Sequence, residues 1–388
     1  MSYFSQTTLG ESRWWSWIAL TWLTFVGWVI FQTILIGLIV VASNFTDPPL
    51  FQPLMDAAQA GESPEAVQSY STLSALAGLG ATLAAMLIFF INQEKVRNIA
   101  GVLLIFGIII CIYFPILGSQ GSDSSEFMAV LTQIMGASPI AFALFLLTFP
   151  TALIMLYLGQ KFLHKRTITS LHTAAKTFSI PRVLQGFALT WIVLGAFSFA
   201  GNALGLIEVE YVFDGGKFWI FALVSLLFIP LQSATEEIVF RGYFNQGLTH
   251  LLRSKWIAFF ITSVAFMALH LSNPEALEGA ASGTLPIVMS GYFFFGFAMC
   301  LIVWIDDGLE TAIGIHAGNN CFAAIIMNYE NSVLPTPSIF LTGTDPVKDS
   351  ISTILVLGII VAIVWFLRGG THNHALSVSN DTPTIADS

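Results

Sequence analysis

Long apolar stretches separated by shorter polar ones dominate the hydropathy pattern of the chain. A helix needs roughly 20 mostly apolar residues to cross a hydrocarbon core about 30 Å thick. Ten stretches reach that length, with boundaries soft by several residues: Trp14–Ala42, Thr72–Asn92, Ile99–Leu117, Pro139–Gly159, Val183–Gly205, Phe218–Phe240, Trp256–Ser272, Ile287–Ile305, Leu309–Met327 and Ile351–Leu367. The pattern predicts an all-α fold, a polytopic transmembrane helix bundle of about ten spans.

The composition agrees with this prediction. Of 388 residues, 55% are hydrophobic and 10% are charged, and the mean hydropathy is +0.79. Soluble domains carry about 25% charged residues, so the composition excludes a soluble globular domain and makes the lipid bilayer a partner. The net charge of −9 argues against nucleic acid as a partner.

The basic residues predict the orientation, because Lys and Arg accumulate in cytoplasmic loops. With the N-terminus inside, the outer loops hold only Lys217 and Lys348, and Arg241 lies at the inner end of a predicted span. The inner segments hold the others: Arg13, Lys95, Arg97, Lys161, Lys165, Arg166, Lys176, Arg182, Arg253, Lys255 and Arg368. Both termini are therefore predicted to be cytoplasmic.

Four regions follow from the distribution of charge. Residues 1–159 are predicted to form an N-terminal four-span accessory region without charges in its span interiors. Residues 160–182 form a basic cytoplasmic connector, either an amphipathic helix on the headgroups or a plain loop. Residues 183–368 hold six spans with every intramembrane charge and histidine, and the polar tail 369–388 has the composition of a disordered segment.

Ionisable residues inside the sixth predicted span are the first candidates for function, since charged groups in a membrane are costly. Glu237 and Arg241 stand at i and i+4 with the glutamate first, which favours an ion pair. Glu236 points about 100° away and lacks that partner. A carboxylate without a partner in poorly solvated surroundings is suited to act as a general base.

Two further spans carry candidate polar residues. Phe266 and His270 share a face at the end of the seventh span, and His316 and Asn320 share a face of the ninth. Gly318 permits a neighbouring helix to approach there. A carboxylate, two imidazoles and a carboxamide on three helices can activate water, stabilise an oxyanion or bind a metal ion.

Each of these elements has a structural alternative. Glu237 with Arg241 can be a structural ion pair, and His270 can be a helix-end residue. His316 with Asn320 can link helices by hydrogen bonds. The acidic residues before the ninth span have the spacing of a helix-capping cluster, and these are Asp306, Asp307 and Glu310.

The motif set Glu236-Glu237-x-x-x-Arg241, Phe266-x-x-x-His270 and His316-x-x-x-Asn320 resembles the three motifs of the CPBP family. That family contains type II CAAX prenyl endopeptidases and bacterial bacteriocin-processing or immunity proteases. The resemblance covers roughly residues 183–330 and does not extend to the four N-terminal spans. It implies an intramembrane endopeptidase that hydrolyses membrane-associated peptides or proteins.

The resemblance also implies roles for individual residues. Glu236 would activate the attacking water with His270, while His316 and Asn320 would hold the water, a metal ion or the oxyanion. Glu237, Arg241 and Phe266 would support the site. Two alternatives stay open for the cofactor: Zn²⁺ bound by Glu236, His270 and His316, or a glutamate-dependent hydrolase without metal. The chain has no HExxH motif of the common zinc proteases.

A second hypothesis is a non-enzymatic membrane transporter or an immunity-type binding protein, whose polar residues line a path. The family motifs on three helices favour the peptidase, and the chain shows no broken helices in matching halves as carriers do. We expect a multi-pass protein of a bacterial plasma membrane. The sequence does not distinguish a prenylated substrate from another membrane peptide.

Overall fold

The computed structural model describes residues 2–43, 132–271, 273–330 and 332–380. Within them the chain is mainly helical, as predicted. The helices are α1 (Trp14–Ser43), α2 (Pro139–Leu147), α3 (Thr151–Phe162), α4 (Thr169–His172), α5 (Ile180–Ala203), α6 (Gly215–Glu237), α7 (Asn245–Leu252), α8 (Lys255–Ala268), α9 (Pro274–Ser282), α10 (Leu285–Asp306), α11 (Glu310–Cys321) and α12 (Pro346–Asn380).

Six apolar stretches of these helices are long enough to cross a membrane: Trp14–Gln32, Pro139–Phe162, Ile180–Ala203, Gly215–Leu252, Leu285–Asp306 and Pro346–Arg368. They show a multi-pass integral membrane protein. The predicted spans Thr72–Asn92 and Ile99–Leu117 lie outside the described residues, so the count of ten, like the orientation of the termini, stays a prediction.

The seventh and ninth predicted spans are shorter than expected. Helix α8 has 14 residues and ends at Ala268, and α11 has 12 residues before a π-helical segment, Phe322–Ile326. Neither helix is long enough alone to cross a core of about 30 Å. The chain leaves α8 by a turn at residues 269–271, and α9 occupies the predicted loop that follows.

The sixth span is longer than predicted. Helix α6 continues through a π-helical segment, Ile238–Phe244, directly into α7, so one helical rod runs from Gly215 to Leu252. The polar residues beyond Phe240 ended the apolar pattern, yet Arg241, Asn245 and Gln246 are all buried. Buried polar residues therefore continue along this helix well past the predicted end of the span.

A small sheet is the exception to the predicted all-α fold. Strands β1 (Val209–Tyr211), β2 (Met327–Tyr329) and β3 (Phe340–Thr342) form a sheet of order β1-β3-β2. β1 is antiparallel to β3 and β2 is parallel to it. Strands β1 and β3 lie in segments that the helical pattern left as loops. Strand β2 begins at the last residue of the predicted ninth span, directly after the π-helical segment that follows α11.

Close contact between α5 and α11 depends on glycines. A Cβ on Gly318 would lie 3.0 Å from the carbonyl oxygen of Phe187, and one on Gly186 would lie 2.5 Å from that of Thr311. Small residues let membrane helices approach backbone to backbone, so the role predicted for Gly318 is confirmed. This approach fixes α11 beside α5 while its other side meets α6.

Between the end of α3 and the start of α5, the connector 160–182 consists of turns around the four-residue α4. Gln160, His164 and Arg166 are buried, whereas the three lysines of the connector are exposed. Arg166 donates a hydrogen bond of 2.6 Å to Gln246 on α7. The N-terminal 3₁₀ helix Tyr3–Leu9 packs beside the connector, where the Tyr3 hydroxyl donates to the carbonyl of Leu171 at 2.5 Å. These hydrogen bonds hold part of the connector against the helix bundle.

The predicted capping cluster is wrong. Helix α11 begins after Leu309 without any side-chain cap. Asp306 instead accepts hydrogen bonds from Thr311 and Arg368, both at 2.6 Å, and Asp307 accepts one of 2.8 Å from the backbone of Tyr3. Asp307 adopts a left-handed conformation, φ 56°, which turns its side chain away from the helix start.

We expect His164 to make stability depend on pH. Burial lowers the pKa of its imidazole to about 4, whereas the unfolded value is 6.5. The unfolded chain therefore binds the proton first, and the stability contributed by neutral His164 is complete above pH 6.5 and is lost as pH falls towards 4. The His164→Gln variant should lose less thermal stability than the wild type when detergent-purified protein is acidified. Parallel profiles for the two proteins would contradict this.

Candidate active site

Two adjacent glutamates lie where α6 passes into the π-helical segment. Glu237 is fully buried, and the side chain of Glu236 is 15% exposed. Because they are consecutive on a helix, the two carboxylates point in different directions. Short π-helical turns occur frequently at functional sites, and this one begins at the residue after Glu237.

The Glu237 carboxylate joins two helices. Its Oε1 atom accepts a hydrogen bond of 3.1 Å from Arg241 and one of 2.7 Å from Nδ1 of His316 on α11. The predicted Glu237–Arg241 ion pair is confirmed. The contact with His316 was not predicted, and it gives Glu237 a second task, because a carboxylate can only accept and therefore keeps a proton on Nδ1 of that imidazole.

Arg241 extends this contact to α8 and α10. Its second guanidinium nitrogen donates to the carbonyl of Gly296 at 3.3 Å, and the guanidinium carbon lies 4.3 Å from the ring centre of Phe266. A cation over an aromatic face is attracted by the ring. Four helices, α6, α8, α10 and α11, thus meet around one buried ion pair.

His316 faces both glutamates. With Nδ1 held by Glu237, its Nε2 lies 3.7 Å from Oε2 of Glu236. The imidazole is buried and packs edge-on against Phe295, with ring centres 4.9 Å apart. Oε2 of Glu236 is itself buried and accepts no hydrogen bond from the described residues. The structure therefore brings Glu236 and His316 together.

His270 stands one layer away from this pair. Its Nδ1 donates to the backbone carbonyl of Phe266 at 2.8 Å, which leaves Nε2 of the neutral ring as an acceptor. The ring lies between aromatic neighbours, with ring centres 4.5 Å from Phe266 and 4.4 Å from Tyr292. Phe266 also contacts His316, at 6.1 Å between ring centres. Contact between the two imidazoles thus runs through Phe266.

Asn320 is linked to Glu236 through a glutamine that sequence analysis did not single out. Gln232, one turn before Glu236 on α6, donates a hydrogen bond to Oε1 of Glu236 and accepts one of 3.3 Å from the Asn320 amide. The sequence signal for Gln232 is its position four residues before Glu236, which places both side chains on one face of α6.

A second group of polar residues beside His270 also escaped sequence analysis. The Tyr292 hydroxyl accepts a hydrogen bond of 2.9 Å from Asn273 and donates to Glu275 at 3.4 Å. Tyr329 on β2 donates to the other oxygen of Glu275. The carboxylate of Glu275 thereby ties α9, α10 and β2 together next to the ring that stacks on His270.

The predicted zinc ligands do not assemble into a complete set. Among the described residues, no group of three or more His, Cys, Asp and Glu side chains is placed to hold a metal ion. Glu236 and His316 face each other, whereas the His270 ring packs between Phe266 and Tyr292, one layer away from that pair. A catalytic zinc needs three protein ligands, and these positions supply two that converge.

The arrangement suits proton transfer to and from water. Glu236 offers a buried oxygen without a hydrogen-bond donor, His316 offers a ring nitrogen beside it, and Asn320 offers amide hydrogens nearby. Such groups can orient a water molecule, accept its proton and stabilise an oxyanion. Burial strengthens each of these electrostatic interactions.

Comparison with known proteins confirms the resemblance to the family. Residues 215–322 match the family model described as type II CAAX prenyl endopeptidase Rce1-like, and this range contains all the predicted site residues. The chain is 26% identical over 219 residues to the uncharacterized protein YyaK of Bacillus subtilis (strain 168), over 54% of this chain and 70% of YyaK. No solved structure matches the chain significantly. The comparisons support protease activity in general.

Replacement of Glu237 should mainly cost stability. Glu237→Gln leaves the Arg241 cation buried without its counter-charge, and breaking a buried pair in this way costs about 3–5 kcal/mol. We expect a lower folded yield and a lower thermal midpoint in detergent. Glu236→Gln removes no ion-pair partner of Arg241 and should stay near wild-type yield.

The double variant Glu237→Gln/Arg241→Gln is the control for this prediction. It removes both charges, so it should recover part of the stability that Glu237→Gln loses. If the double variant loses as much stability as the two single variants together, charge imbalance is not the cause. A Glu236→Gln variant less stable than Glu237→Gln would reverse the roles of the two glutamates.

Proposed function

We propose that the chain is an intramembrane endopeptidase that hydrolyses membrane-associated peptides or proteins by attack of water activated at Glu236. One observation carries the proposal: the buried Oε2 of Glu236, which accepts no hydrogen bond from the described residues, lies 3.7 Å from Nε2 of His316. The match of residues 215–322 to the CAAX endopeptidase family supports a hydrolase of peptides.

In the proposed reaction, Glu236 accepts a proton from water as the water oxygen attacks the scissile carbonyl carbon. Nε2 of His316 accepts a hydrogen bond from the second hydrogen of the water and so holds the water in place. The carbonyl oxygen becomes an oxyanion, stabilised by the remaining amide hydrogen of Asn320. Glu236 then returns the proton to the leaving amine as the C–N bond breaks. One water is consumed, and one carboxyl and one amine end are formed.

Glu237 sets the role of His316 in this scheme. It accepts a hydrogen bond of 2.7 Å from Nδ1 of His316, which leaves Nε2 of the neutral ring as an acceptor for the water. His270, with its acceptor nitrogen Nε2, assists Glu236 in polarising the water, and Phe266 and Tyr292 hold its ring.

The alternative of a carrier or an immunity-type binder has less support. Carriers place polar residues along a permeation path, whereas Gln232, Glu236, Glu237, His316 and Asn320 form one contiguous cluster. We place the protein in a bacterial plasma membrane, since its relative YyaK is from Bacillus subtilis.

Cleavage of a membrane-anchored reporter peptide tests this function. Purified wild-type protein in lipid vesicles should release the labelled product, and Glu236→Gln should lower kcat by about 10²–10⁴-fold, the usual contribution of a general base. Glu278→Gln, which alters an exposed glutamate on α9, is the matched control and should keep wild-type activity. Equal product from wild type and Glu236→Gln would contradict the proposal.

Metal removal is a separate test. Because only two of the predicted zinc ligands converge, we propose that water is activated without metal, and cleavage should persist after dialysis against a strong chelator. Metal analysis of the same sample checks that removal was complete. Full loss of activity, restored by one equivalent of Zn²⁺, would contradict this part of the proposal.

A further inference from the structure

Gln232 occupies the centre of the polar cluster without belonging to any of the three sequence motifs. It lies on α6 one turn before Glu236, and only 8% of its surface is exposed. Burying a primary amide is costly unless its hydrogen bonds are made. Here both ends of the amide are used, each towards a residue of the proposed reaction.

The partners determine how the Gln232 amide is oriented. Its nitrogen donates to Oε1 of Glu236, and its oxygen accepts from the Asn320 amide nitrogen at 3.3 Å and from the Ser233 hydroxyl at 3.1 Å. The opposite orientation would set the amide oxygen against a carboxylate oxygen and the amide nitrogen against a donor. Only one orientation satisfies the cluster.

The donor-to-acceptor order of these hydrogen bonds also includes Asn319. Asn319 donates to the side-chain oxygen of Asn320 at 3.1 Å, so the Asn320 amide is oriented too. The hydrogen bonds run from Asn319 to Asn320, to Gln232 and to Glu236. Hydrogen bonds in such a chain polarise one another in a low-dielectric interior. All of them end at a single oxygen, Oε1 of Glu236.

The two oxygens of Glu236 are therefore unequal. A proton on Oε1 would point at the amide hydrogens of Gln232, whereas Oε2 accepts no hydrogen bond from the described residues and faces His316. We propose that Gln232 is a positioning residue: it reserves Oε2 of Glu236 for the proton of the attacking water and aims the free amide hydrogen of Asn320 at the oxyanion. This inference rests on the proposed function and extends it.

The test compares kcat and KM for the reporter peptide. Gln232→Leu removes the hydrogen bonds with Glu236, Asn320 and Ser233 and keeps similar bulk. Because misplacement of a reacting group by about 1 Å costs about 100-fold, kcat should fall by about that factor while KM stays within about twofold. Gln232→Met, which keeps the side-chain length, gives the same readout if the leucine variant does not purify as folded protein.

Gln160→Leu is the matched control. Gln160 is another buried glutamine, which donates to Ser170 at 3.2 Å in the connector, away from the cluster. Its replacement should lower the thermal midpoint and leave kcat within about twofold of wild type. This comparison separates the loss of a buried amide from the loss of positioning.

A double-mutant cycle completes the experiment. If Gln232 acts through Asn320, the factor by which Gln232→Leu/Asn320→Ala is slower than wild type should be smaller than the product of the two single-variant factors. Wild-type kcat in Gln232→Leu or Gln232→Met, or a rise in KM alone, would overturn the positioning role while Glu236→Gln stays inactive. Equal product from wild type and Glu236→Gln would overturn the proposed function with it.

Discussion

The carboxylate of Glu237 is the interaction on which the rest of the site depends. An ionised carboxylate inside a membrane protein is tolerated only with a charged partner and good hydrogen bonds. Arg241 supplies the charge one helical turn away, and His316 supplies the second donor from α11. Oε1 of Glu237 accepts both hydrogen bonds. The carboxylate that pairs with Arg241 therefore also determines where the imidazole of His316 points. Stability and site geometry are coupled in one group.

The surrounding helices enclose the Glu237 carboxylate and its partners. Arg241 reaches the backbone of α10 and the Phe266 ring of α8, so the ion pair is enclosed by protein on several sides. Glycines at the contact of α5 with α11 let α11 lie close enough for His316 to reach α6. Helices α8 and α11 are short; His270 lies in the turn just after α8 ends, and His316 lies in the middle of α11. Asn273, just before α9, and Tyr329 on β2 supply polar partners beside His270.

Sequence patterns predicted the local features and missed those that join distant segments. The Glu237–Arg241 pair follows from i, i+4 spacing, but the bond from His316 to Glu237 links residues 79 positions apart. The apolar pattern ended the sixth span at Phe240 because polar residues follow it. Distant segments bury those residues: Arg166 of the connector contacts Gln246, and Thr262 of α8 donates to Asn245. Gln232 resembled an ordinary packing residue of a membrane helix until its partners were visible.

The central claim is that water attacks the peptide directly, with Glu236 as its base and no covalent intermediate. A single-turnover reaction in H₂¹⁸O with excess protein over reporter peptide tests it most directly. Rapid denaturation followed by intact-mass analysis should show unmodified protein at every time point, one ¹⁸O atom in the new carboxyl end, and both products appearing at the same rate. A peptide adduct on the protein, or release of the amine product ahead of the carboxyl product, would contradict the account.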